Sequence, residues 1–135
     1  GNMVAVMDVP ADQTGAYGIV TPGEDDGRVV DIKGLVEKPD PAVAPSNIGV
    51  VGRYIITPEV FQTLNTQERG AGGEIQLTDA LAKQIGGAPF KGLRFSGERF
   101  DCGSKLGFLQ ANVAFGLKSP EMTSELRRWM AERLA

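Results

Sequence analysis

The chain has 135 residues, 41% of them apolar and 23% charged, with a formal net charge of −3. That is about one domain of ordinary globular composition, and its scattered basic residues argue against a nucleic-acid partner. There is no histidine, which excludes Ser-His-Asp and Cys-His catalysis and any His-containing zinc site within the chain.

In chain order, Met3 to Val9 reads as an apolar, β-branched strand with only Gly1 and Asn2 before it. So abrupt a start is expected of a domain edge or of a piece of something larger. Tyr17 to Thr21 and Val29 to Val36 read as two further strands, joined by an Asp-Asp-Gly hairpin at residues 25–27. Alternation along Arg28 to Pro39 puts Val30, Ile32, Gly34 and Val36 on one face, with Asp31, Lys33 and Glu37 on the other. Val29 and Leu35 blur that pattern. Pro39 should end the ladder and hold Lys38 extended. Prolines 41 and 45 mark a loop, and Gly49 to Ile56 a buried strand.

Thr57-Pro58-Glu59 has the cap, proline and acid of a helix start. A glycine-rich loop follows, and then a helix over Asp79 to Ile85 with Thr78 as its cap and Gly86-Gly87 as its stop. Phe90 to Ser96 is another strand. Ser104 should cap a helix to Leu117 whose core face is Leu106, Leu109, Val113 and Leu117. Ser119-Pro120-Glu121 repeats the start signal for a last helix to Leu134, with Met122, Leu126, Trp129 and Met130 in one stripe suited to core or to a partner subunit. No internal repeat is present, and no apolar run approaches the roughly 20 residues that span a bilayer.

Without histidine, chemistry here must use carboxylates, lysines, backbone amides or a hard cation. Four places offer these. Glu37-Lys38 puts a carboxylate and an ammonium at a strand's carboxyl end, where ligands bind in open α/β sheets, although a solvated strand end has the same composition. Gly18 lets a ligand approach a strand backbone closely, as would a simple twist or bulge. The run Gly70 to Asp79 joins glycines to a helix start, but lacks the Lys-Ser/Thr ending of a phosphate-binding P-loop. Asp101, between a strand and a helix start, suits one carboxylate of a Mg²⁺ site and equally a turn. Cys102 has no histidine partner and is expected to be a small buried residue. As the lone cysteine it leaves no intrachain disulfide and points to a reducing, cytoplasmic setting.

Taken in order, YGIV, GLVEKP, APSNIGVVGRYI, GAGGEIQLTDA and FDCGSKLGF resemble the bacterial UTP–glucose-1-phosphate uridylyltransferases over roughly Met3 to Leu117. The match corresponds to the C-terminal half of such an enzyme. The family's GxGTRxxP loop, its catalytic lysine and arginine, and a second Mg²⁺ aspartate lie in the other half.

The resemblance implies an α/β fold, the C-terminal portion of a Rossmann-like nucleotidyltransferase, with a mixed β-sheet flanked by helices and a C-terminal helical arm. Residues 1–118 would form the sugar-phosphate-binding half, and 119–135 a helix for packing or oligomerisation. Glu37 would accept hydrogen bonds from glucose hydroxyls, and Lys38, the catalytic residue, would neutralise the sugar phosphate. Gly18 would lie against the sugar, with Val50 and Tyr54 as its wall. Glu74 would order the loop beneath it, and Asp101 would be one of two Mg²⁺ carboxylates. Thymidylyl relatives carry arginine where Gly72 stands, so that phosphate contact is absent here or falls to Arg69.

The implied reaction joins UTP and glucose-1-phosphate into UDP-glucose with release of pyrophosphate. This chain would be inactive alone and would need the missing N-terminal half. A half-sheet with an open edge should also self-associate, giving a homo-oligomer. The rival readings are a non-catalytic sugar-phosphate-binding or assembly module, and a thymidylyl- or adenylyl-transferring relative.

Overall fold

The computed structural model describes residues 1–66, 69 and 73–135. Its strands are β1 (Asn2–Asp8), β2 (Gly18–Asp25), β3 (Val29–Glu37), β4 (Ile48–Ile55) and β5 (Phe90–Arg94). Its helices are α1 (Pro58–Thr66), α2 (Leu77–Ala82), α3 (Lys105–Lys118) and α4 (Thr123–Leu134). Short 3-10 turns at Ala11–Ala16 and Pro41–Val43 fill two of the loops. The chain divides into two compact units, Gly1–Ser96 and Gly97–Ala135. The division by role at 118/119 cuts instead between α3 and α4, which pack on each other.

In the first unit the strands follow the order β1-β4-β2-β3-β5 and close into a barrel. β1 and β5 run parallel and every other pair is antiparallel, so the sheet is mixed as expected. Closure corrects one expectation, because a closed ring of strands leaves no open sheet edge to drive self-association. The narrowest seam is β2–β4, a single register pair of Ile19 with Gly49. Ser46 reinforces it by donating to the Val20 carbonyl at 2.6 Å and accepting from the Ile48 amide at 3.0 Å.

Val4, Val6, Val20, Val30, Ile32 and Phe90 meet in one buried cluster. α1 and α2 add Val60, Ala80 and Leu81, all fully buried, which ties both helices to the barrel. The hairpin turn is held by Asp26, whose Oδ1 accepts from the amides of Arg28 and Val29, and Gly27 supplies the required positive φ of 89°.

Three irregularities break the strand register, one of them between Pro22 and Asp25 of β2. In β3, Gly34 pairs with Thr21 and Ile32 with Pro22, which leaves Lys33 as an extra residue. One extra residue flips every later side chain to the other face. Beyond it Leu35 is buried and Val36 exposed, and Glu37 shares the Leu35 face. The expected grouping of Val36 with the core, and of Glu37 with Asp31 and Lys33, is therefore corrected. In β4, Val50 pairs with Val6 but Tyr54 with Val4, so two extra residues bulge around Gly52 at φ 75°.

In the second unit, Ser104 caps α3 as expected, its hydroxyl accepting from the Gly107 amide at 3.0 Å. The buried face of α3 is not the leucine stripe. Gly107, Ala111 and Gly116 are buried, whereas Leu106 and Leu109 are mostly exposed. Small residues let Leu126 of α4 approach closely: a Cβ on Gly116 would stand 2.7 Å from Leu126 Cδ2. α4 begins at Thr123, later than its sequence signal, after Ser119 accepts from the Met122 and Thr123 amides. Trp129 is half exposed, with the Arg133 guanidinium 4.1 Å from its ring centre. Cys102 is exposed, against the expectation of burial.

Candidate functional site

Gly18 opens β2 and Glu37 closes β3, directly opposite each other in antiparallel register. Residues so paired present their side chains on the same side of the sheet. A Cβ on Gly18 would lie 3.1 Å from Glu37 Oε2 and 3.5 Å from Thr78 Oγ1. The absent side chain thus leaves room for the Glu37 carboxylate. Thr78, in the first turn of α2, donates its hydroxyl to Glu37 Oε2 at 2.6 Å. This corrects its expected role, since the α2 cap position is Gln76 and the Thr78 side chain turns to the carboxylate instead.

Lys38 has φ 46°, the only positive φ of a non-glycine residue among those described. The left-handed region costs such a residue about 1–2 kcal/mol, and a following proline disfavours it further. The expected extended backbone is therefore replaced by a strained one. It is held by the Lys38 amide donating to the Tyr17 carbonyl at 2.9 Å and by the buried Pro39 behind it. Strain of this kind persists where the surrounding structure over-determines it and is concentrated at functional positions. Lys38 itself is exposed, next to a half-buried Glu37.

The β4 bulge separates the two residues expected to form a sugar wall. Val50 joins the barrel core. Tyr54 lies near the barrel surface, and its phenol is pushed above its ordinary value, first by burial and second by the negative charge of Glu37. Tyr54 therefore shares the electrostatic surroundings of Glu37. Glu74 is an exposed residue in a bend just before α2, and Arg69 is exposed. Of the glycine-rich loop, residues 70–72 lie outside the described residues, so the expectation at Gly72 does too.

Asp101, in the second unit, begins a tight turn. Its Oδ1 accepts from the Gly103 amide at 3.0 Å, and its carbonyl from Ser104. Gly107 is required there, because a Cβ would collide with that carbonyl. The carboxylate is exposed and offers a hard oxygen ligand, but no group of three or more His, Cys, Asp or Glu able to hold a metal occurs among the described residues. It fits one ligand of a divalent cation, with the others from elsewhere.

A cleft of about 420 Å³ lies away from these groups, lined by Asp31, Lys33, Lys91 and residues 85–90. Asp31 pairs with both Lys91 and Lys33, which leaves this lining with one positive charge in excess.

Comparison with known proteins decides the family. Residues 1–115 match the nucleotidyl transferase family. The chain belongs to that family. Among its nucleotidyl transferase relatives, the UTP–glucose-1-phosphate uridylyltransferase of Komagataeibacter xylinus is 59% identical over 106 residues, which are 78% of this chain and 37% of the relative. The enzyme of that name from Staphylococcus haemolyticus is 44% identical over 131 residues, 97% of this chain and 46% of the relative. A UDP-glucose pyrophosphorylase solved with UDP-glucose superposes with a TM-score of 0.81 at 38% identity, over 87% of this chain and 45% of that one. The α/β class and mixed sheet expected from sequence are those of this family. The chain spans less than half the length of the curated relatives it matches. No helix among the described residues is long and apolar enough to cross a membrane.

Proposed function

We propose that the chain supplies the sugar-phosphate side of a UTP–glucose-1-phosphate uridylyltransferase, which makes UDP-glucose and pyrophosphate in the cytoplasm. The observation that carries this reading is the Glu37-Lys38 corner. There a carboxylate fixed by Thr78 adjoins an exposed ammonium on a strained backbone. Glu37 accepts hydrogen bonds from sugar hydroxyls, and Lys38 neutralises the phosphate of glucose-1-phosphate. Gly18 keeps the strand backbone open to the sugar, and Tyr54 borders it.

The reaction is in-line attack of the glucose-1-phosphate oxygen on the α-phosphorus of UTP. Such transfers depend on positioning and charge neutralisation, so cations suffice and no histidine is needed. Asp101 offers one oxygen ligand to Mg²⁺, which when bound neutralises phosphate charge. Glu74 orders the loop before α2. Residues 1–118 form the sugar-phosphate part, and 119–135 a packing or subunit-contact helix in a homo-oligomer. The chain alone binds sugar phosphate without turning it over, the groups that hold UTP belonging to the rest of the protein.

The test is calorimetric titration of the 135-residue chain with glucose-1-phosphate. Saturable binding that Lys38→Ala weakens about 10- to 100-fold, as for a lost charge-assisted hydrogen bond, supports the reading. Binding indifferent to that substitution removes Lys38 from the site. UDP-glucose formed by the pure chain from UTP would overturn the division of labour.

A further inference from the structure

We propose that Thr78 is a positioning residue for the sugar site. Its hydroxyl clamps one oxygen of Glu37 so that the other is presented to the ligand at a fixed angle. The inference rests on the reading of Glu37 as the sugar-binding carboxylate and adds a residue, on a separate helix, on which that carboxylate depends.

The geometry is specific. Thr78 is 8% exposed and donates to Glu37 Oε2 at 2.6 Å, across 41 positions of sequence. The Gly18 backbone lies beside the same bond, where a Cβ would stand 3.1 Å from Glu37 Oε2 and 3.5 Å from Thr78 Oγ1. The hydroxyl and the carboxylate oxygen are thus packed together over a bare α-carbon. The donor sits on a rigid base, because Ala80 and Leu81 of the same helix are fully buried in the barrel core.

A free glutamate at a strand end would lose side-chain entropy when a ligand fixed it. A hydroxyl bond already made in the free protein removes much of that loss and leaves Oε1 to accept from sugar hydroxyls. Because Thr78 directly follows residues 73–77, any shift of that segment on ligand binding would reach the carboxylate through this bond.

The test is calorimetric binding of glucose-1-phosphate to the 135-residue chain and four variants, with thermal unfolding of each. Thr78→Val keeps the shape and removes the donor, and should weaken binding about tenfold, the size of one hydrogen bond. Thr78→Ser restores the donor and should return affinity to within about twofold of wild type. In a Glu37→Ala background, which leaves the hydroxyl no acceptor at this position, the Thr78→Val effect should largely vanish, a coupling that a merely structural role would not produce.

Should Thr78→Val not fold, Thr78→Ala removes the same donor in a smaller side chain, and should weaken binding by a similar factor. Wild-type affinity in a folded Thr78→Val or Thr78→Ala, or no recovery in a folded Thr78→Ser, would overturn the inference while the reading of Glu37 stands. No binding by the wild-type chain would overturn both.

Discussion

Lys38 carries two properties that a single alanine substitution would confuse, its charge and its left-handed backbone. Glycine adopts φ 46° without the steric cost, whereas alanine bears it as lysine does. Lys38→Gly is therefore expected to be about 1 kcal/mol more stable to urea than Lys38→Ala, while both lose glucose-1-phosphate affinity. Equal stabilities would mean that the backbone at this position is not strained.

Tyr54 gives an independent reading of the same corner. Its phenol is raised by burial and then by Glu37, so its neutral form is favoured in the folded chain. A raised folded pKa contributes stability that is fully present below the unfolded value near 10 and is lost as pH rises through the folded value. In a Tyr17→Phe chain, ultraviolet titration should show one phenol ionising above pH 10. Glu37→Gln should then lower that midpoint by removing the neighbouring charge, and an unchanged midpoint would separate the two residues.

At this scale the Glu37-Lys38 pair was legible in sequence, because a charged dipeptide closing a β-branched run before proline is a local pattern. Thr78 was not. Its side chain answers to Glu37, 41 positions away, and the same threonine beside Asp79 is an equally good cap by every local rule.

Among the elements, the strands were legible and their faces only in part. Runs of valine and isoleucine announce β1 to β4 within a few residues, and Phe90 and Leu93 mark β5, but a bulge leaves no mark in composition. Lys33 looks like an ordinary outward residue until the register shows it unpaired, and the face of Glu37 depends on it. The α3 core face failed for a related reason. Apolarity pointed to leucines, whereas the close approach of α4 selects Gly107, Ala111 and Gly116. The small residues recurring at four- and five-residue spacing were the available signal.

The β2–β4 seam belongs to this scale as well. With a single register pair between these strands, the Ser46 hydroxyl adds one bond across the seam, to the Val20 carbonyl, and is itself fixed by the Ile48 amide. Ser46→Ala is expected to cost about 1–2 kcal/mol and to lower the urea midpoint without changing the m-value. A lower m-value would instead indicate that the ring opens in the native state, and an unchanged midpoint that Ser46 is not part of the closure.

For the molecule as a whole, the strand ring explains how a stretch less than half the length of its relatives can hold the Gly18, Glu37 and Thr78 corner in place. Gly18, Glu37 and Thr78 come from two strands and a helix that share one buried core, so ordering that core orders the corner. The closed ring itself was not legible, since the short β3–β5 and β2–β4 pairings that complete it join distant strands with no turn between them to signal the contact.

The most direct measurement is an amide chemical-shift titration of the 135-residue chain with glucose-1-phosphate. Saturable shifts centred on Gly18, Glu37, Lys38 and Thr78 are predicted. Shifts confined to the cleft at Asp31, Lys33 and Lys91, or none at all, would contradict the assignment of the sugar-phosphate site to the Glu37-Lys38 corner.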